Sequence, residues 1–337
     1  MKMININKMI NTSVALSAVL GATLTVSCAK WTEPESVDFE EGIEQPSLTY
    51  LASLRDYKAS SHKVSMFMVD LPSEQPVSRN QHIMAMPDSA DFICVRNAVN
   101  GIFPAIAEEI SEVYMTKGTE VLCEVNYTTI FEQWSAIEDA KENEPAGTEE
   151  EYRKFVGEKV AAQIACCDQY GFAGIMVTME NNTLGFHKAG QEVFLSAIEN
   201  WRNSHSNHTI IVKGNIGGLI DQTIIEYSKY VIIPVGKAYS SGMFSSEVKS
   251  AFIGVDKGQD RVIVQVAVPN DENPQKEDYI KEFQPIAAAR WVNEPDKKFV
   301  RCGIMVSNIQ DDYSISSTYN TSRKAISLLN TTAADAE

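Results

Sequence analysis

The segment YRKFVGEKVAAQIACCDQYGFAGIMVTME, residues 152–180, shows two hydrophobic periods in succession. Tyr152, Phe155, Val156, Val160, Ile164 and Cys167 recur at three- and four-residue steps, which places them on one helical face. After Gly171 the period changes. Residues 173–179 form a nearly continuous apolar run, as in a strand of a parallel sheet covered on both faces. The same alternation fills the rest of the chain. Further strands are expected at 64–70, 91–97, 120–126, 209–215, 230–235, 262–268 and 300–307, and Phe194, Leu195, Ile198 and Trp201 make another helical stripe. Eight strands alternating with helices fit fold class α/β: a single-domain (β/α)8 TIM barrel over residues 48–330, with a short tail at 331–337. A doubly wound open sheet is the competing arrangement. It would carry a Gly-rich dinucleotide fingerprint after an early strand. The one Gly cluster after a strand, Gly214-Asn215-Ile216-Gly217-Gly218, has the wrong spacing and reads as a tight turn.

Among the 337 residues, 29 are Lys or Arg and 45 are Asp or Glu, a formal charge of −16. That sign disfavours nucleic acid and anionic membrane surfaces as partners and leaves neutral ligands such as sugars open. At the N-terminus, Lys2 and Lys8 precede an uncharged, mostly apolar stretch at 10–26. Its apolar core is too short to span a bilayer comfortably. Residues 1–27 read as a bacterial lipoprotein signal peptide and Cys28 as the lipidated first residue after cleavage, although Thr25 stands where such motifs favour Leu. An ordinary secretory signal is the alternative. Cleavage would remove two positive charges and no negative one, taking −16 to −18. Residues 28–47, with six acids against Lys30, read as a self-repelling tether of roughly 25 Å. The expected location is the outer membrane or cell surface, with membrane contact only through the lipid on Cys28.

Cys94, Cys123, Cys166, Cys167 and Cys302 are odd in number and include no C-x-x-C pair, so free thiols are expected rather than disulfides or a metal site. His205 and His208 fall in a polar loop-like stretch. No cofactor is implied. In a barrel of this kind the chemistry sits at the C-terminal ends of the strands. Those ends carry Asn97, Asn126, Glu180, Asn215, Lys237, Asn270 and Asn308, with Tyr127, Trp134, Phe186, Tyr239, Phe244 and Tyr313 nearby. Amides donate and accept without charge, which suits hydroxyl and acetamido groups. Aromatic rings can stack on sugar faces. The plainer reading of each Asn is that it suits a strand-to-loop turn.

The segment from Gly171 to Asn181 resembles the signature strand of family 18 glycoside hydrolases, the chitinases and endo-β-N-acetylglucosaminidases. Phe172 and Gly174 match its opening, and Glu180 falls in register with the catalytic Glu. Residues 84–94 resemble the lead into strand two of a branch found in glycan-foraging Gram-negative lipoproteins. The resemblance implies that Glu180 is the general acid, with the substrate's acetamido oxygen as nucleophile, an exception to the two-carboxylate scheme. It also implies an Asp two residues earlier, on the same strand face, to steady that acetamido group. Here the family's three aspartates map onto Ala173, Met176 and Thr178. Thr178 can hydrogen-bond but supplies no negative charge. Losing such a transition-state contact costs roughly 3–4 kcal/mol, or about 10²–10³ in rate. Strands three, six and eight also depart from the family pattern, and strand eight has no tryptophan to floor the sugar site.

Three functions follow as expectations. The first is a lipid-anchored protein that binds N-acetylglucosamine-containing glycan without cutting it and passes it to a neighbouring importer or glycosidase. Glu180, Asn126, Asn215 and Asn308 would hydrogen-bond the sugar, and Tyr127 and Tyr239 would stack on it. The second is an active endo-β-N-acetylglucosaminidase or chitinase in which another carboxylate replaces Thr178, with Glu124 on strand three as the candidate. The third is a scaffold with no sugar ligand.

Overall fold

Eight short runs rich in Val, Ile and Met pair side by side, all parallel, and close on themselves in chain order. The computed structural model describes residues 46–141, 145–180, 187–314 and 316–330. The expected signal peptide at 1–27, Cys28, nearly all of the expected tether at 28–47, Phe186 and the tail at 331–337 lie outside the described residues. The strands are β1 (Val64–Val69), β2 (Phe92–Val95), β3 (Glu120–Asn126), β4 (Gly174–Met179), β5 (Thr209–Gly214), β6 (Val231–Pro234), β7 (Val262–Val266) and β8 (Arg301–Val306). The α-helices among the described residues are α1 (Leu48–Ala59), α2 (Pro104–Lys117), α3 (Tyr127–Asp139), α4 (Glu149–Tyr170), α5 (His187–Ser204), α6 (Thr223–Tyr227), α7 (Ser241–Ala251), α8 (Gln284–Asn293) and α9 (Asn320–Leu329). This is the (β/α)8 barrel expected, and the doubly wound sheet is excluded by its closure.

Each strand is apolar on both faces for a different reason. Met66, Met68, Phe92, Cys94, Leu122, Met176, Ile211, Ile232, Ile263 and Met305 form one buried cluster inside the barrel. Their alternates, such as Ile175 and Val177, join the larger cluster under the helices. Burying each such side chain contributes about 1.5–3 kcal/mol. In α4, Tyr152, Val156, Val160 and Cys167 are buried as the period required, while Phe155 and Ile164 pack at the edge of the same core. Thr148 and Glu151 form a capping box at its start, and Gly171 ends it in the left-handed conformation at φ 67°.

Two strand glycines have a packing role. A Cβ on Gly174 would lie 1.9 Å from the Thr209 carbonyl oxygen, and one on Gly303 would lie 1.9 Å from that of Val64. The motif glycine of β4 is thus required by close approach of the neighbouring strand. All five cysteines from Cys94 to Cys302 are free thiols, four of them buried. Among the described residues no three His, Cys, Asp or Glu side chains could hold a metal ion, and no helix is long and apolar enough to cross a membrane.

Candidate functional site

On β4, Gly174, Met176 and Thr178 face the lumen, and Glu180 follows directly after the last strand residue. Register brings Asn126 of β3 beside Thr178 on one side and Lys213 of β5 beside it on the other. Three lumen side chains therefore converge with Glu180. The Thr178 hydroxyl donates to Glu124 Oε1 at 2.6 Å. Lys213 Nζ donates to Glu180 Oε1 at 2.7 Å and lies 3.6 Å from Glu124 Oε1. The Glu180 backbone N–H donates to the Thr128 hydroxyl at 2.8 Å. Thr178, Lys213 and Glu124 are all buried, whereas the Glu180 side chain is 38% exposed. The group carries two carboxylates and one ammonium, with the ammonium between them.

Glu124 is the strand-three carboxylate named as the candidate to stand in for an acid at position 178. The second carboxylate is absent from β4 but present beside it, because Glu124 reaches Thr178 from β3. Lys213 was missed altogether. Its signal was a lone lysine inside the apolar run at 209–215, on the same strand face as Ile211.

Glu180 and Asn215 line a cavity of about 320 Å³ with Glu247 and Ser250 of α7, over Gly214, Ile233 and Pro234. The other predicted amides lie elsewhere. Asn126 caps α3, its Oδ1 accepting from Thr129 N at 3.1 Å. Asn308 clasps the chain just past β7, its Oδ1 accepting from Val268 N at 2.8 Å and its Nδ2 donating to Val268 O at 3.1 Å. Asn97 makes the same clasp on Leu71. Asn270 accepts from Asn273 N and donates to Asp311. The turn reading holds for these four.

The expected stacking platforms are corrected more sharply. Tyr127 is fully buried at the first turn of α3, its hydroxyl against Tyr152 at 2.9 Å and its ring against Phe194. No ring face is left for a ligand. Trp134 and Phe244 are likewise core residues. Tyr239 is 6% exposed and borders a different cavity, beside Lys281 and Arg290. Tyr313 packs on Tyr319 and is partly exposed. Lys237 is exposed.

The chain thus closes a (β/α)8 barrel with a glutamate at the C-terminal end of β4, joined to lumen-facing Glu124 and Lys213. Residues 32–328 match the family described as Glycoside hydrolase family 18, BT1044-like, and the chain belongs to that family. Solved structures agree on the fold. A variant of BT1044 is 15% identical, with TM-score 0.62, covering 87% of this chain and 95% of that one. The endo-β-N-acetylglucosaminidase of Cordyceps militaris is 13% identical, with TM-score 0.61, covering 86% and 98%. A family 18 chitinase of Chromobacterium violaceum is 15% identical, with TM-score 0.53, covering 80% and 84%. No curated protein matches the chain.

Proposed function

We propose that this protein binds an N-acetylglucosamine-containing glycan at the strand ends around Glu180 and does not hydrolyse it. The observation that carries the reading is the position of Lys213. A general acid must present a proton to the glycosidic oxygen. Glu180 Oε1 instead accepts from the Lys213 ammonium at 2.7 Å. Thr178, where the family resemblance implies an acid, contributes only a hydroxyl, and that hydroxyl is spent on Glu124. Glu180, Asn215, Glu247 and Ser250 leave the cavity rich in hydrogen-bonding groups, which suits a hydroxylated ligand. A doubly substituted variant of the Cordyceps militaris enzyme, in complex with fucosyl-N-acetylglucosamine-Asn, is an instance of this fold holding such a sugar, at TM-score 0.56. A lipid on Cys28 would hold the protein at the outer membrane, where bound glycan would pass to an importer or glycosidase.

The contact between Glu124 and Thr178 favours a second reading, hydrolysis with Glu124 in place of the missing aspartate. Calorimetric titration with a chitobiose-containing glycan, beside an assay for released reducing ends, separates the two. Saturable heat without release is expected. Turnover at ordinary enzyme rates that disappears in Glu180→Gln would establish the second reading, and neither heat nor release from a broad glycan panel would overturn both.

A further inference from the structure

We propose that a cavity at the opposite, N-terminal end of the barrel binds a small organic monocarboxylate beside Lys58. The cavity measures about 320 Å³ and is bounded by Lys58, His62, Asp91, Phe92, Glu120 and Tyr230, most of them at or just before the first residues of strands. It shares no residue with the cavity at Glu180, so the inference does not rest on the glycan reading.

All but one of its charges are already matched. His62 Nδ1 lies 2.8 Å from the Ser60 carbonyl and Nε2 lies 2.8 Å from Asp91 Oδ1. Both partners are acceptors, an arrangement that favours the doubly protonated ring, and the hydrogen bond to Asp91 raises its pKa. Asp91 Oδ2 accepts from Ser65 N at 2.8 Å. Glu120 accepts from Lys229 at 3.1 Å and from Thr209 at 2.6 Å. Lys58 is the exception. Its Nζ donates to the Thr119 hydroxyl at 2.7 Å, a neutral group that itself donates to the Ala90 carbonyl. Among the described residues it makes no ion pair, and burial draws its ammonium down to about 8. A half-buried ammonium whose hydrogen-bond partner among the described residues is a neutral hydroxyl has donors left for an anion in the cavity.

The charge count selects the class of ligand. With His62 protonated, Lys58, His62 and Lys229 face Asp91 and Glu120, leaving one positive charge in excess. A monoanion cancels it. A dianion such as sulfate overshoots and meets the two carboxylates. The Phe92 and Tyr230 rings, 5.9 Å apart and edge to face, supply an apolar wall for the body of an organic acid.

Calorimetric titration at pH 7 with propionate, against sodium chloride and sodium sulfate at matched ionic strength, tests this. Saturable propionate binding is expected, at least tenfold weaker in Lys58→Met. In the unaltered protein, saturating propionate should slow acetylation of Lys58 at least threefold, read by mass spectrometry, and leave the exposed Lys154 unchanged. That second readout stands even where the variant folds poorly. No saturable propionate heat, unchanged Lys58 labelling, or tighter binding of sulfate than of propionate would overturn the proposal.

Discussion

Replacing Lys213 by Met would leave the Glu124 carboxylate buried with, among the described residues, only the Thr178 hydroxyl for a partner. Removing one partner of a buried ion pair costs several kcal/mol, and the partial exposure of Glu180 relieves part of that here. Lys213→Met is therefore expected to lose about 3 kcal/mol in urea unfolding at pH 7. Glu180→Gln should lose under about 1 kcal/mol, since Lys213 keeps Glu124. Equal losses in the two variants would show that Lys213 does not bridge. The same geometry sets the outcome of restoring the family's acid. In Thr178→Asp the new carboxylate faces Glu124, and a loss of about 2 kcal/mol is expected, recovered when Glu124→Gln is added. Glu180 and Thr178 were legible in the sequence through the resemblance of residues 171–181 to a family signature strand, and strand alternation explains why positions 178 and 180 share a face. Lys213 was not, because its partnership with Glu180 depends on the β4–β5 register, which pairs Thr178 with Lys213 and is written in neither strand alone.

The strands themselves were legible from their apolar runs, and their overshoot has a physical cause. Asn97, the last residue of the run expected at 91–97, lies beyond β2 and spends its side chain clasping Leu71 after β1, so the ladder stops short of it. The aromatic residues misled for a related reason. Tyr127, Trp134 and Phe244 lie on helices just past strand ends, and the helix face that carries them turns down onto the barrel wall rather than up to the mouth. At this level the firmest expectation concerns Gly174. Adding a Cβ there requires β4 and β5 to part, because the obstacle at 1.9 Å is the Thr209 backbone carbonyl rather than a movable side chain. Gly174→Ala should cost about 3 kcal/mol or prevent folding, and Gly303→Ala should do the same at the β8–β1 seam. At Gly242 of α7 nothing lies within 4 Å of an added Cβ. Gly242→Ala should leave stability unchanged or raised by up to about 1 kcal/mol. A thermal melt in which Gly174→Ala tracks Gly242→Ala would refute the close-approach account.

Over the molecule as a whole, two titrating groups at the N-terminal end of the barrel act in opposite directions on stability. The hydrogen bond to Asp91 raises His62 above 6.5 against the opposing effect of burial. The folded chain thus holds that proton where the unfolded chain has lost it, so the stabilisation is full below about pH 6.5 and fades as pH rises through the raised value. Lys58 behaves conversely. Burial lowers it from 10.5 to about 8, so the unfolded chain binds the proton more readily and stability is regained between those values. On the acid side burial would raise Asp88, but the Lys117 ammonium outweighs it and holds that carboxyl below 3.8. Its contribution is present above the unfolded value and is lost as pH falls through the lowered one. The expected profile of urea midpoint against pH thus falls above about pH 6.5, reaches a shallow minimum near the point where Lys58 begins to titrate, and climbs again. His62→Gln should cost roughly 1–2 kcal/mol near pH 6 and less near pH 9, flattening the falling limb. Lys58→Met should remove the alkaline recovery and leave the falling limb in place. A wild-type profile that declines steadily to pH 10, as self-repulsion in a chain of charge −16 alone would produce, would show that neither group is coupled to folding as its surroundings require.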